Sequence, residues 1–598
     1  MTLATKVLGL RRRVATRIQP SDPTPVAAPP APAPVNGVVE RVTPRLAAGW
    51  VAVPPTAPPT RVELWVNDIH VASTYATPDA SMSSVGSAAR KKERVRAGRG
   101  RRATYAWQTT PVPGPAEDRR NARGQIRTFS FRMIDLWEYV TPRSRITVRV
   151  DGRRLPITGH GMYVAPPQRG QYPLADLRQK LAEGYVLSQW GRIQLSKQHD
   201  VEWQRKVLSL YTQVSEILRR TYGYDPFFIY GTLLGAVREH GYIGHDIDFD
   251  AAYLSRHTDG RQAAAELAEV GLALVDAGLG VDCHKTALHV TDPNDPENRI
   301  DLFHLYFDDE GILRFPFGVA GTVDFTRDHW TGTEEIDWPQ GRGVIPGSAE
   351  HLVRVMYGDD WRRPKPGFNW DLDRTAHAPA GWLTQEERTK VYWADFYAHH
   401  HYTEGSTFFR FVAGWPDVPH RLVDIGCGEG RDSCAFGAAD WRVLGVDQSA
   451  VGIERAQKRA SEQSLADHVD FRVCDVADVA DLGRVLDEAR GGDDQRDSVT
   501  FYLRFFLHAI DEQTQGRLLD AIDAHVHPGD VFAAEFRTDK DKAIKKVHGN
   551  HYRRYQNAET FREGLAARGW AIKHFEESQG LSVYEGEDPW LCRVVATR

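Results

Sequence analysis

The sequence predicts a multidomain chain of three folded units, in order a small β-sandwich, an α+β domain and an α/β domain. Three stretches predict it. Between 39 and 167, short apolar runs alternate with polar residues, as at Val62, Leu64, Val66 and at Ile146, Val148, Val150, the period of half-buried strands. Between 173 and 370, helix-like and strand-like segments mix around Tyr230 to Asp250, YGTLLGAVREHGYIGHDIDFD. From 420 a buried strand runs into a Gly-rich turn and a helix, RLVDIGCGEGRDS, the opening of a nucleotide-type α/β sheet.

At 598 residues the chain is too long for one core, and about 150 residues per domain gives three or four units. Lys plus Arg number 75 against 80 Asp plus Glu, so nucleic acid is not expected as a partner. The cysteines Cys283, Cys427, Cys434, Cys474 and Cys592 show no paired spacing, which argues against a disulfide framework or cysteine-bound structural zinc and for a reducing, cytoplasmic setting. No apolar run approaches the ~18 residues of a membrane span, and the N-terminus lacks the apolar core of a signal peptide.

Residues 1–38 form a basic tail and a Pro/Ala-rich linker. Leu3, Val7, Leu10, Val14 and Ile18 fall at helical spacing among Lys6, Arg11, Arg12, Arg13 and Arg17. This stripe suits peripheral contact with the inner face of a membrane, or is a disordered basic tail. In the β-sandwich, 39–167, the insertion RKKERVRAGRGRR (90–102) either holds an anionic polymer or is only solvated. It has no interleaved aromatic residues of the kind that bind single strands.

The central domain, 173–370, begins with a helix whose stripe is Val207, Leu210, Tyr211, Val214, Ile217 and Leu218, ended by Gly223. Phe227 to Tyr230 reads as a strand, and Gly231-Thr232 as a turn where backbone approaches a ligand such as phosphate. Leu233, Leu234, Ala236 and Val237 then form one buried helical turn ending at Arg238. Asp246, Asp248 and Asp250 fall at i, i+2 and i+4 of a following strand, on one face, with Ile247 and Phe249 on the other. Three like charges on one face repel, a cost tolerated when a divalent cation, Mg2+ or Mn2+, lies between them; the alternative is a solvated edge strand. Gln262 to Ala277 reads as a helix, and Lys285–Val290 with Arg299–Tyr306 as a hairpin carrying Asp301. His289 and His304 read as plain strand residues. A strand, a small-residue turn, a helix and a strand bearing Asp-x-Asp is the layout of a nucleotidyltransferase-like domain.

GTLLGAVR, the DIDFD cluster, Asp301 in RIDLFHLY and the closing VIPGSAEHLVRVMYGDDWRRP, with Tyr357, Gly358, Trp361 and Pro364, together give His199–Pro366 a resemblance to the LicD/fukutin family of phosphotransferases. The family cluster reads roughly DDDID; Ile247 replaces one of its aspartates. The resemblance implies transfer of a phospho-substituent, such as phosphocholine or ribitol phosphate, from a CDP-linked donor to a glycan hydroxyl. It implies Asp248 and Asp250 as principal metal ligands, Asp246 beside them and Asp301 as a third acid, one of these acids serving as the base. Gly231 and Thr232 would bind substrate and Arg238 the donor phosphates, although a cation at a helix C-terminus needs no ligand to be favourable there.

After a helical connector, 371–419, that includes WADFYAHHH, the last domain spans 420–598. Gly426, Gly428 and Gly430 let a ligand lie against backbone, and Asp447 in VLGVDQS stands about twenty residues on, placed to pair with ribose hydroxyls. An NAD site is the rival reading. Gly426-x-Gly428-x-Gly430 preceded by Asp424 resembles motif I of class I S-adenosylmethionine-dependent methyltransferases. That resemblance implies a Rossmann-like sheet, S-adenosyl-L-methionine as cofactor, Asp475 in VDFRVCDV at the adenine edge, and Arg504 and His508 at the rim of a fourth strand. His508 is the base by location, or else a structural histidine. Glu535, Arg537, His551, Arg553 and Arg554 suit an anionic acceptor or form a solvated face.

The expectation is a bifunctional enzyme acting on cell-surface glycan or a teichoic-acid-like polymer. Its partners would be a CDP-linked donor and a glycan or lipid-linked glycan acceptor. The alternatives are a nucleotidyltransferase for a small molecule joined to a methyltransferase, and a glycan-binding scaffold with degenerate domains. Against the scaffold, both motif sets keep their acids and glycines.

Overall fold

The computed structural model describes residues 36–54, 56–78, 125–318, 325–364, 379–400, 404–490, 497–546, 552–584 and 586–598. The basic tail and the insertion 90–102 lie outside these residues.

Among the described residues, the first unit contains β1 (Asn36–Thr43), β2 (Leu46–Val53), β3 (Thr60–Val66), β4 (Ile69–Pro78), β5 (Gln125–Arg132), β6 (Ile146–Val150) and β7 (Arg153–Arg154). Alternation buries Val62, Leu64 and Val66 because successive side chains point to opposite faces. Where that alternation suggests two facing sheets, the strands form one antiparallel sheet, ordered β1-β2-β5-β4-β3-β6-β7. β4 pairs with β3 along most of its length and with β5 only at Thr77 and Pro78, so it belongs to both halves of a bent sheet. The far edges meet: Val39 N–H donates to Pro156 O (2.9 Å) and Val39 O accepts from Thr158 N–H (3.0 Å). The helix Leu174–Ala182 and the hairpin β8 (Tyr185–Leu187) and β9 (Ile193–Leu195) also pack on this core, through Leu177, Leu187 and Ile193.

In the central domain the helix Val201–Tyr222 is capped by Asp200, whose side chain accepts from Trp203 N–H, and ends at Gly223 in the left-handed region (φ 69°). The main sheet comprises β10 (Phe227–Phe228), β11 (Asp250–Ser255), β12 (Gly280–Cys283), β13 (Ala287–Asp292), β14 (Asp295–Phe307) and β15 (Leu313–Arg314). Its order is β10-β11-β14-β13-β12, with β15 on β14. β11 and β14 run parallel, with the helix Gly260–Asp276 and the strands β12 and β13 between them in the chain. A separate hairpin, β16 (Thr333–Trp338) and β17 (Gly341–Pro346), precedes the helix Ala349–Tyr357, which packs on the helix Tyr230–Arg238.

Two local expectations change here. Gly231 and Thr232 lie inside the helix Tyr230–Arg238, not in a turn before it; the reversal is made by Tyr230, at φ 43°. The strand expected from Asp246 starts only at Asp250, because β10 offers two residues for pairing, Phe227 and Phe228, opposite Ala252 and Ala251. Without a ladder the preceding segment is irregular, and Ile247 is 44% exposed, while Phe249 is fully buried as the alternation requires.

The connector divides between its neighbours. The helix Gln385–His399 opens with a Thr384/Glu387 capping box and packs Val391 and Ala394 into the central core. Phe408 and Val412 of the helix Thr407–Ala413 belong to the next core. That last domain contains β18 (Arg421–Ile425), β19 (Arg442–Asp447), β20 (Val469–Val473), β21 (Thr500–Arg504), β22 (Val531–Arg537), β23 (Ala571–Ser578) and β24 (Leu591–Thr597). The order is β20-β19-β18-β21-β22-β24-β23; the first five strands are parallel, and β24 runs antiparallel between β22 and β23. The strand order reverses beside β18, so ligands belong at the C-terminal end of that strand.

Phe249 packs its ring against Phe228 (5.2 Å), Tyr211 (5.5 Å) and Tyr242 (6.3 Å). Phe249→Ala should cost about 3–5 kcal/mol of central-domain stability, read as an earlier first transition in urea unfolding of the full chain.

Candidate active sites

A cavity of about 520 Å³ opens in the central domain at the N-terminal end of the helix Tyr230–Arg238 and the start of β11. Asp246, Asp248, Asp250 and Asp301 all line it, so the structure brings the four sequence-predicted acids together. Asp250 stands opposite Asp301 across the parallel β11–β14 pair. Asp246 and Asp248 arrive on the irregular segment before β11, and the one amide of Ile247 donates to Oδ1 of both (3.1 and 3.3 Å).

Asp250 is pinned twice. Its Oδ2 accepts from Gly231 N–H (2.9 Å) and its own N–H donates to Thr232 Oγ1 (2.8 Å). A Cβ on Gly231 would stand 2.6 Å from Asp246 Oδ2 and 3.2 Å from Asp250 Oδ2; the missing side chain is what lets the acids converge. Gly231 thus lines the cavity, whereas Thr232 is buried behind it and positions the acid instead of meeting substrate.

Burial, followed by the charge of Asp248, pushes Asp246 up to about 8. Asp250 is driven well above the carboxylate range by burial and then by Asp248, Asp301 and Asp246. Burial raises Asp301 to about 6 against the opposing pull of Arg299, whose Nε lies 3.1 Å from Asp301 Oδ1 without hydrogen-bond alignment. Carboxylates that resist ionising together are what a divalent cation relieves. An all-oxygen set fits Mg2+ or Mn2+, and Asp246, Asp248 and Asp250 are the residues that would hold it.

Basic residues line the same cavity. Arg238 lines the cavity, paired with Glu239 (2.7 Å) and donating to Trp361 O (3.4 Å), and Lys285 and Arg363 join it. Tyr357 and Trp361 of the closing segment return to the same space, and Gln189, between β8 and β9, reaches it from the first unit. His289, expected to be a plain strand residue, lines the cavity with Nε2 3.6 Å from Asp301 Oδ2, whereas His304 is fully buried. His289 sits directly opposite Asp301, whereas His304, three residues beyond Asp301 on the same strand, points to the other face.

In the last domain Gly426, Gly428 and Gly430 take φ of 78°, 57° and 71°, values that side chains disfavour. A Cβ on Gly428 would meet the ring of Tyr397 at 2.6 Å. Tyr397 comes from the connector helix, and no motif announces it. Asp447 Oδ2 accepts from Gly428 N–H (3.0 Å) and Oδ1 from Ser449 N–H (2.8 Å); burial raises it to about 6. Asp424 is buried beneath the turn, raised to about 7 by burial, and accepts from Ser433 Oγ (2.6 Å), fastening β18 to the helix Arg431–Ala438. Asp475, exposed just beyond β20, accepts from Ala477 N–H (2.9 Å).

His508 is buried, and its Nδ1 faces Arg537 N–H (3.3 Å), tying the ends of β21 and β22. Three of the groups expected to greet an anionic acceptor, Glu535, Arg537 and Arg554, are engaged internally. Glu535 is fully buried between Arg593 (2.7 Å) and Arg504 (3.7 Å). Arg537 pairs with Asp541 (2.8 Å) and Glu587, and Arg554 donates to Gln515 and Gln556. His551 lies outside the described residues.

Residues 223–335 match the family described as LicD/FKTN/FKRP, nucleotidyltransferase domain, and residues 422–529 match the methyltransferase domain family. The chain is therefore a transferase that carries a LicD-type domain and a methyltransferase domain. It is similar to solved structures of a glycopeptide N-methyltransferase complexed with S-adenosyl-L-homocysteine (15% identity, 33% of this chain, 90% of that one, TM-score 0.26). It is also similar to magnesium protoporphyrin IX methyltransferase from Synechocystis PCC 6803 with bound SAM (16%, 32% and 77%, TM-score 0.24). No curated protein matches the chain.

Gly231→Ala should force Asp246 and Asp250 apart and weaken Mn2+ binding at least about tenfold, roughly 1.4 kcal/mol, in a calorimetric titration of the full chain. Unchanged affinity would show that the acids do not share an ion.

Proposed function

We propose that the chain is a bifunctional enzyme of cell-surface glycan or teichoic-acid-like polymer modification. The central domain transfers a phospho-substituent from a CDP-linked donor to a hydroxyl of a glycan or lipid-linked glycan. The C-terminal domain methylates the same or a related product with S-adenosyl-L-methionine. The observation that carries this reading is the meeting of four carboxylates with Arg238 in one cavity.

Phosphoryl transfer asks for charge neutralisation and in-line alignment more than covalent help. Arg238 holds the donor phosphates from the end of its helix. Asp246, Asp248 and Asp250 would hold Mg2+ or Mn2+, which when bound would neutralise the donor's diphosphate bridge as CMP departs. Asp301, pushed up to about 6, is largely ionised at neutral pH and takes the proton of the acceptor hydroxyl. Gln189 lines the same cavity, which would let the first unit help to present the glycan.

In the other site the glycine turn lets the cofactor lie on backbone, Asp447 accepts from the ribose hydroxyls, Asp475 stands at the adenine edge and Tyr397 covers the turn. The cofactor, when bound, supplies an electrophilic methyl group, and the chain supplies proximity. The basic N-terminal stripe supports work in the cytoplasm at the inner face of the membrane; among the described residues no helix is long and apolar enough to cross one. The match to a nucleotidyltransferase domain favours one second reading, nucleotidyl transfer to a small molecule.

Asp248→Asn should lower phosphotransfer at least about a hundredfold, the scale of lost transition-state charge stabilisation, and leave methylation intact; loss of both would contradict separate sites. Release of diphosphate from CTP, UTP or ATP with no turnover of a CDP-linked donor would establish the second reading instead.

Asp447 must be ionised to accept both ribose hydroxyls. Since it is raised to about 6, affinity for S-adenosylhomocysteine should be flat above that value and fall as pH drops through it, by roughly tenfold per unit well below. Asp447→Asn should bind weakly with a flat profile, and a sloping profile in that variant would assign the titration elsewhere.

A further inference from the structure

The face of the central sheet that carries the acids continues beyond Asp301. Asp250 is opposite Asp301, Asp301 is opposite His289, and His289 is opposite Asp282. Directly opposed residues on neighbouring strands share a face, at about 4.8 Å per strand. The four strands β11, β14, β13 and β12 therefore present one transverse row: Asp250, Asp301, His289, Asp282. His284 follows the last residue of β12 and folds back onto the row. Its Nε2 lies 3.1 Å from Asp282 Oδ2, and its ring centroid is 4.0 Å from that of His289. One ligand atom from each of Asp282, His284 and His289 lies within 4.8 Å of the others.

We propose that Asp282, His284 and His289 form a second divalent-cation site that takes an imidazole-preferring metal, Zn2+ above all. Two imidazoles and a carboxylate are a three-ligand set of the kind that leaves a fourth position open on zinc, whereas the oxygen-only acids prefer Mg2+ or Mn2+. The two ends of the row thus sort metals by ligand chemistry. His284 and His289 both line the cavity, so the open position faces whatever the cavity holds and offers itself to a phosphate or hydroxyl oxygen. The neighbouring cations are engaged elsewhere: Arg299 on Asp301 (3.1 Å) and Lys285 over the Trp382 ring (5.4 Å). The side chains of Asp282 and His284 are 74% and 49% exposed, so the hairpin does not need them for packing.

The test is Zn2+ titration of the chelator-stripped full chain by calorimetry, with bound zinc counted by elemental mass spectrometry. Wild type should bind one Zn2+ that Asp248→Asn keeps. His284→Ala with His289→Ala should lose it or bind at least about tenfold more weakly, with circular dichroism unchanged. His284→Ala alone, at a half-exposed position, covers the case in which the double variant misfolds and should show the same loss. The inference is overturned if wild type takes up no zinc, if the histidine variants keep wild-type affinity, or if zinc is lost in Asp248→Asn instead. Zinc uptake is read without substrate, so this result stands apart from the proposed reaction.

Discussion

Mutual repulsion among Asp246, Asp248, Asp250 and Asp301 is the constraint on which the central domain is built. Burial and their neighbours' charge raise three of these acids, and among the described residues Asp301 is the one of the four paired with an arginine, Arg299. The fold spends its local geometry on holding them together. The parallel pairing of β11 with β14 sets Asp250 against Asp301. Gly231 leaves room for two carboxylates, and Thr232 fixes the backbone at Asp250. Phe249, between two of the acids, anchors the segment in an aromatic cluster. Four acids held this close fit a divalent cation among them, which would suit the phosphoryl chemistry proposed for this cavity.

The two sites are joined by more than a linker. Asp395 on the helix Gln385–His399 accepts from Val281 N–H (2.8 Å) in β12, the strand that carries Asp282. Two residues on, Tyr397 lies against Gly428 in the cofactor turn. The same helix packs on the helix Ala450–Glu462 of the methyltransferase domain. One helix therefore touches the edge strand of one site and the glycine turn of the other.

Much of this was legible in the sequence where chemistry is local. The acids, Arg238, the glycine turn and Asp447 are encoded by spacing within single stretches, and so is the helix end at Gly223. What was hidden depends on partners distant in the chain. The late start of β11 follows from a two-residue β10, and His289 reaches the site through its register opposite Asp301. The joined edges of the first sheet rest on Val39 meeting Pro156 and Thr158. Glu535 and Arg537 look like a surface for anions until Arg593 and Glu587, 58 and 50 residues away in the chain, are seen beside them. Tyr397 had no signal, since an aromatic residue in a connector helix reads as packing.

The most direct measurement is thermal unfolding of wild type and Asp250→Asn, each stripped of metal and each with Mg2+. If the acids are held against their repulsion for a cation, Mg2+ raises the central-domain transition of wild type. Asp250→Asn then melts above wild type when metal-free and gains little from Mg2+. A wild type indifferent to Mg2+, together with an Asp250→Asn variant that melts lower in both conditions, would contradict it.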